Sequence, residues 1–465
     1  MLDCRAVAPV DLTPLDEMVA RLQKVVAASP ADGTVLSWIE VRRGREGSAK
    51  RRRDSFERLE RTLLVQVTER GRLGYHRTGT VRAGEMESAV RAALAQARMA
   101  PSTPAANGPT STPAVAPTAS PSAPPDPASL FDEALAELSP EGARDLLQKL
   151  AGKGELARLG WAEGRVVVVG SGGLARSVRV TAADLEVVRG RAPAAGRAAG
   201  AARSLAGLAA ASIFERARSR EAPETTGDTP AGPVTLLLSP EAAATLVDLL
   251  NRQALSSAAF HDGTSFFRGR LGDTVFHPAI NLRDDGNDPA GLPFPFDLLG
   301  ATKRSVDLVA GGVALTPAID ERLAKELGRP STAHALSPDE AVATHLFLLP
   351  GAGDDTELAR QAGERSGLFV GALDPVECFD PRRLRFRAVA RGVRRLESGG
   401  VPGQALPDLA WEDELPEVLR RILEVGRAAQ VVAGPDPVLG GISAPHLAVS
   451  EVANLRHVAV DPSQT

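Results

Sequence analysis

Cysteine is nearly missing from this chain of 465 residues: Cys4 and Cys378 are the only two. Two thiols cannot build a disulfide framework or a cysteine-rich zinc site, and they suit a reducing compartment. Aromatic residues make up only 4%, so the core must be built from Val, Leu and Ala. No stretch approaches the roughly 18 uninterrupted apolar residues of a membrane span. The opening residues, Met1 to Pro9, lack the basic segment and apolar run of a secretory signal. A cytoplasmic protein with no membrane partner is expected. Charge of one sign is also lacking: a net charge of −4 gives no bulk reason to bind nucleic acid.

What is present is a globular composition, 43% hydrophobic and 24% charged, in a chain long enough for two or three domains. Leu15, Met18, Val19, Leu22, Val25 and Val26 recur at helical spacing. Val35 to Val41 alternates as a strand, 59–68 and 73–78 read as two more, and Glu85 to Met99 as a helix. Between the first two strands lies a basic run, Arg43, Arg45, Lys50, Arg51, Arg52 and Arg53. With no interleaved aromatic it reads as a solvated hairpin tip. Residues 101–129 are rich in Pro, Ala, Ser and Thr and read as a disordered linker.

Pro140 to Leu150 reads as a helix and Arg165 to Val169 as a strand. Gly170-Ser-Gly-Gly-Leu-Ala175 then fits G-x-G-x-x-A, the dinucleotide fingerprint, which requires a helix next. Ser177 to Thr181 alternates instead, so a glycine turn between antiparallel strands is expected. The Ala-rich stretch 192–217 predicts a helix over Leu205 to Phe214, and a domain boundary falls near Thr229. Pro233 to Leu238 reads as a buried strand. Ser239 then caps a helix that begins at Pro240, with Glu241 in its first turn. Beyond residue 300 short strands alternate with turns, with a helix expected over 416–425. The fold class expected is α+β: an N-terminal α/β domain (1–100, continued in 130–229) and a C-terminal antiparallel, barrel-like domain (230–465).

Chemistry is sparse. None of the seven histidines forms an H-x₃-H or H-E-x-x-H pair. His345 and His277 read as structural. A G-x-S-x-G elbow is absent, and Cys378 has no basic neighbour to activate it. Asp284, Asp285 and Asp288 could bind a hard cation but read first as turn-forming acids. His261 and Asp262, in a glycine-punctuated loop with Ser265, are the best polar candidates for a substrate channel. No catalytic residue, metal ligand or cofactor site is assigned.

The order of several short motifs resembles the TldD/PmbA ("modulator of DNA gyrase") family. The matching pieces are Leu238-Ser-Pro-Glu-Ala-Ala243, Ser265-Phe266 with Gly269, Leu271-Gly272, Asp284-Asp285, Phe296-Asp297, Ser331-Thr332 and Leu349-Pro-Gly351. Gly367 to Val370, Arg391-Gly392, Leu396-Glu397, Val425-Gly426 and Pro445-His-Leu447 continue the series. The resemblance implies a heterodimer in which the TldD arm carries H-E-x-x-x-H on a helix, plus a late cysteine, to hold a catalytic metal. Here that helix reads Pro240-Glu-Ala-Ala-Ala-Thr-Leu246, and Val438 to Ser443 contains no cysteine. Glu241 alone cannot lower the pKa of a water without the ion. The chain thus resembles the PmbA/TldE arm. Two motifs depart from it: Asp297-Leu-Leu-Gly300 and Ser331-Thr-Ala-His334. The expected function is a non-catalytic subunit of a peptidase that processes unfolded peptides beside a TldD-like partner. The alternatives are an autonomous metallohydrolase using His261, Asp262 and the 284–288 acids, and a structural homodimer.

Overall fold

The structure is a computed structural model that describes residues 12–48, 55–79, 84–100, 123–222, 227–228 and 232–458. Its first half contains helices α1 (Leu15–Ala27), α2 (Glu85–Met99), α3 (Glu133–Ala136), α4 (Pro140–Leu150) and α5 (Ala210–Ser219). Its strands are β1 (Gly33–Gly47), β2 (Phe56–Glu69), β3 (Arg72–Thr78), β4 (Glu155–Gly170), β5 (Leu174–Arg189) and β6 (Gly196–Ala202). They form one antiparallel sheet in the order β3-β2-β1-β4-β5-β6.

The period of two along β4 divides this sheet into two faces. Val167 and Val169 pack with Met18, Leu22 and Val25 of α1 and with α2. Farther along the same face, Leu159 and Trp161 meet Leu147 of α4 and Phe214 of α5. The even positions Val166 and Val168 turn the other way, onto Phe294, Phe296 and Leu298 of the second half. Burial on both faces explains why 166–169 is an unbroken valine run rather than an alternation. Gly170 to Gly173 is the turn of the β4–β5 hairpin, with Gly172 and Gly173 at φ 78° and 86°. The glycines serve this turn, and no helix follows them.

The second half contains α6 (Pro240–Leu250), α7 (Ser257–His261), α8 (Glu321–Leu327), α9 (Asp355–Gly363) and α10 (Leu415–Arg420). Its strands are β7 (Val234–Leu238), β8 (Leu282–Asp285), β9 (Ser305–Ala310), β10 (Val313–Ala314), β11 (Ala335–Ser337) and β12 (Glu340–Ala341). They continue as β13 (Leu346–Leu348), β14 (Leu368–Val370), β15 (Ala372–Asp380), β16 (Arg385–Arg391), β17 (Arg394–Leu396) and β18 (Pro402–Ala405). The last are β19 (Leu409–Glu414), β20 (Ile422–Val425), β21 (Gln430–Ala433), β22 (Gly441–Ala444), β23 (Leu447–Val452) and β24 (Leu455–His457). Two six-stranded sheets run β10-β9-β8-β13-β22-β21 and β18-β17-β14-β7-β23-β20, beside a four-stranded sheet β15-β16-β19-β24.

The molecule is α+β, as the patterning predicts, but several expectations are corrected. Among the described residues no sheet of the second half closes into a barrel, and β7–β14 and β13–β22 pair in parallel. Fully buried strands such as β7 carry no alternation from which pairing direction could be read. The 192–217 stretch begins with strand β6, and its helix starts only at Ala210. The helix expected over 416–425 ends at Arg420, and Ile422 to Val425 pairs with β23.

Of the 101–129 stretch, residues 101–122 lie outside the described residues, and Pro127 to Ser129 forms a single turn capped by the Asp126 carboxylate. Arg43 and Arg45 lie on β1, while Lys50 and Arg51 to Arg53 fall outside the described residues. Among the described residues no helix is long and apolar enough to cross a membrane.

Candidate functional site

Helix α6 is the element around which the second half packs. Ser239 caps it, its hydroxyl accepting from the Ala242 N–H at 3.1 Å and donating to the Gly371 carbonyl at 2.8 Å. Its apolar positions, among them Ala243, Leu246, Val247 and Leu250, are buried against β8, β13 and β23. What remains is a polar stripe, Glu241, Thr245, Asp248 and Arg252, at spacings of four, three and four. Such spacing keeps one helix face, and this face lines a cleft of about 600 Å³.

Three sheets end at this cleft. Strands β6, β15 and β21 are each terminal in their sheets, and Arg197 to Gly200, Ala372 to Asp374 and Val432 to Ala433 line it. Five carboxylates face it, those of Asp184, Glu186, Glu241, Asp248 and Asp374, against the guanidiniums of Arg197 and Arg252. A second groove, of about 390 Å³, adjoins it at Asp184, Ala433, Gly434 and Pro435.

Glu241 is fastened. Its Oε1 accepts from Arg220 at 2.9 Å and from the Ala199 N–H at 3.0 Å. Arg220 also donates to the Arg197 carbonyl at 2.7 Å, and Arg216 to the Ala199 carbonyl at 2.7 Å. Side chains from α5 and α6 therefore cover the outer edge of β6 at these residues, an edge that otherwise invites another strand. Burial pushes the Glu241 carboxyl up, but the Arg220 charge and hydrogen bond, with the Ala199 N–H, outweigh it and hold the group below its usual range. Arg220 and Ala199 have no signal in the sequence, because each lies 21 or more residues from Glu241. The stripe itself is legible as polar residues at one helical period in an otherwise apolar helix.

The metal implied by the TldD arm does not fit this helix. Pro240 has no donor atom, the Thr245 hydroxyl donates to the Glu241 carbonyl at 3.0 Å, and Glu241 is bound to a guanidinium. Among the described residues no group of three or more His, Cys, Asp and Glu side chains is placed to hold a metal ion. Cys4 lies outside the described residues. Cys378 is a free, partly buried thiol whose ionisation burial pushes up.

His261, Asp262 and Ser265 are not among the residues lining either the cleft or the groove. His261 ends α7, with Nε2 3.1 Å from Asp320 at the start of α8. Asp262 follows as the C-cap of that helix. Ser265 is buried; its hydroxyl donates to the Ala254 carbonyl at 2.6 Å and accepts from the Phe267 N–H at 3.1 Å. These contacts fasten the loop between α7 and the rest of the core.

The acids at 284–288 separate into two roles. Asp285 and Asp288 fold turns, accepting from the N–H groups of Asn287 at 3.1 Å and Ala290 at 2.8 Å. Asp284 is fully buried beside His334 (2.9 Å) and Lys303 (3.8 Å) and accepts from the His345 N–H at 2.7 Å. Burial would raise its pKa; Lys303, His334 and the His345 N–H together drive it far below the usual carboxylate range. Asp297 closes another turn, accepting from Leu299, Ala301 and Ala335.

Residues 231–454 match the family described as PmbA/TldA metallopeptidase C-terminal domain. No curated protein sequence matches the chain. Among solved structures, a modulator of a DNA gyrase from Thermotoga maritima superposes with a TM-score of 0.74 at 18% identity, covering 95% of this chain and 100% of that one. TldE from Thermococcus kodakarensis gives 0.72 at 18%, covering 94% and 99%, and a modulator of DNA gyrase from Bacteroides thetaiotaomicron gives 0.70 at 16%, covering 96% and 100%. At these identities the three structures establish the fold of nearly the whole chain, and residues 231–454 carry the sequence match to the PmbA/TldA metallopeptidase C-terminal domain.

Proposed function

We propose that this chain is the metal-free arm of a TldD/TldE-type peptidase and shapes the chamber in which a TldD-like partner cleaves unfolded peptides. The observation that carries this reading is the state of Glu241. The acid stands where the metal-binding arm has its H-E-x-x-x-H glutamate. Here it is held by Arg220 and the Ala199 N–H, between Pro240 and Thr245, which supply no ligand. The likeness to a structure named TldE supports the same arm. An extended peptide would run along a terminal strand of the cleft, β15 or β21, through main-chain hydrogen bonds that need no particular side chain.

Co-expression with a TldD-like chain and purification of the complex tests this. The complex should cleave casein or a flexible peptide, and the isolated chain should neither cleave nor hold stoichiometric transition metal. Zinc at one per chain together with casein digestion by the isolated chain would overturn the reading.

A further inference from the structure

We propose that a third groove, joined to the cleft by one continuous furrow, is an anchor site for an apolar side chain of an unfolded polypeptide lying extended along that furrow. This rests on the reading above that an extended peptide occupies the cleft. It adds how long a segment is taken and what holds its far end.

The third groove, of about 490 Å³, adjoins the second at Arg43 and Glu60, just as the second adjoins the cleft at Asp184. From the cleft outward the three are lined by Ala199 on β6, Asp184 on β5, Ala162 on β4, Arg43 on β1, Glu60 on β2 and Tyr75 on β3. The furrow therefore crosses every strand of the first sheet. The loop between β21 and β22 walls it throughout, with Gly434 and Pro435 in the cleft and second groove and Asp436 and Leu439 in the third. Six strands are five spacings of about 4.8 Å, or about 24 Å, and an extended chain rising about 3.4 Å per residue covers that in about seven residues. Arg43 reaches across to Asp436 at 2.7 Å and holds Glu60 at 3.1 Å. A chain entering the third groove lies over the Arg43–Asp436 pair, whose side chains are 20% and 36% exposed.

The floor of the third groove is apolar. Ile39, Leu336 and Leu439 are partly exposed there beside the buried Val41, Leu64 and Leu298. Polar groups across it are already engaged: Arg43 with the two acids, and the Tyr75 hydroxyl with the Asp339 carboxylate. What an entering group gains is therefore burial of apolar surface. A folded protein keeps most of its large apolar side chains inside, whereas an unfolded chain presents them. The groove thus reads the feature that separates the two.

The test uses the full chain and labelled flexible peptides of four and eight residues, each with Leu or Ser at one end, and reads binding by fluorescence anisotropy. The eight-residue Leu peptide should bind about tenfold tighter than its Ser counterpart, the order expected for partial burial of one Leu side chain. It should also bind about tenfold tighter than the four-residue Leu peptide, which cannot engage both ends of the furrow. Leu336→Asn with Leu439→Asn should bring the Leu-to-Ser ratio close to one. Val401→Asn, at an exposed position outside the furrow, should not change it. A photoreactive leucine at the same end of the peptide needs no variant, and on the unaltered chain it should crosslink to residues of the third groove. Equal binding of Leu and Ser peptides, equal affinity at both lengths, or crosslinks confined to residues outside the third groove overturns the anchor and leaves the peptide-binding reading standing. Absence of binding by every peptide overturns both.

Discussion

Glu241 and Arg220 are each about one-tenth exposed, at 10% and 11%, so neither charge is well hydrated when its partner is removed. Breaking one side of such a pair strands a buried charge, which typically costs about 3 kcal/mol or more. Glu241→Gln should therefore lower the thermal midpoint, and so should Arg220→Met. The double variant should lose clearly less than the sum, which a double-mutant cycle on urea midpoints reads directly. Additive losses would mean that the pair contributes nothing specific. Gly44 makes a different demand. It lies opposite Trp161 across β1 and β4, and a Cβ there would enter the buried indole ring. Gly44→Ala should destabilise by about 2 kcal/mol, in the range of overpacking penalties, again read from urea unfolding.

Among the elements, helices with an unbroken apolar period were readable from the sequence: α1, α2, α4 and α6 lie where the spacing predicts them. Strand β6 was not, because Gly-Arg-Ala-Ala-Gly-Ala-Ala has little intrinsic preference for a strand. It exists because α5 lies hard against it: a Cβ at Gly196 would strike the Ala217 carbonyl, and one at Gly200 the Ile213 side chain. That is tertiary packing, invisible to a local pattern. The site follows the same division. The stripe on α6 is local and legible, whereas its partners on β6 and α5 come from contacts far apart in sequence. Just past β6, Arg203 joins the two halves of the molecule. It donates to the carbonyls of Thr181, Leu292, Pro293, Pro437 and Val438 at 2.8–3.1 Å, and burial lowers its pKa to about 9. Arg203→Met keeps the aliphatic stem but leaves five carbonyls without this donor. A loss of about 3 kcal/mol is expected, and Arg203→Lys, with a narrower donor set, should recover only part of it.

At the scale of the whole molecule, the two halves meet where Val166 and Val168 face Phe294, Phe296 and Leu298, and the Asp284 cluster lies directly behind that seam. His345 belongs to this cluster. Its Nε2 accepts from the Leu292 N–H at 2.7 Å, so the ring is neutral, and burial lowers its pKa from the ordinary 6.5 to about 3. In the unfolded chain the ring takes up a proton as pH falls through about 6.5, whereas in the folded chain it does not until about pH 3. Within that window stability falls with acid, by up to about 1.4 kcal/mol per pH unit from this one group. Asp284 acts in the same direction at lower pH: its depressed pKa contributes stability above the ordinary carboxylate range that is lost as the acid is protonated. Urea midpoints measured from pH 8 to pH 4 should therefore decline, starting near pH 6.5 rather than near pH 4. His345→Gln keeps an acceptor for the Leu292 N–H but cannot titrate. It should be less stable than the parent at pH 8 and show a flatter decline between pH 6.5 and pH 4; an unchanged slope would place the acid sensitivity in other groups.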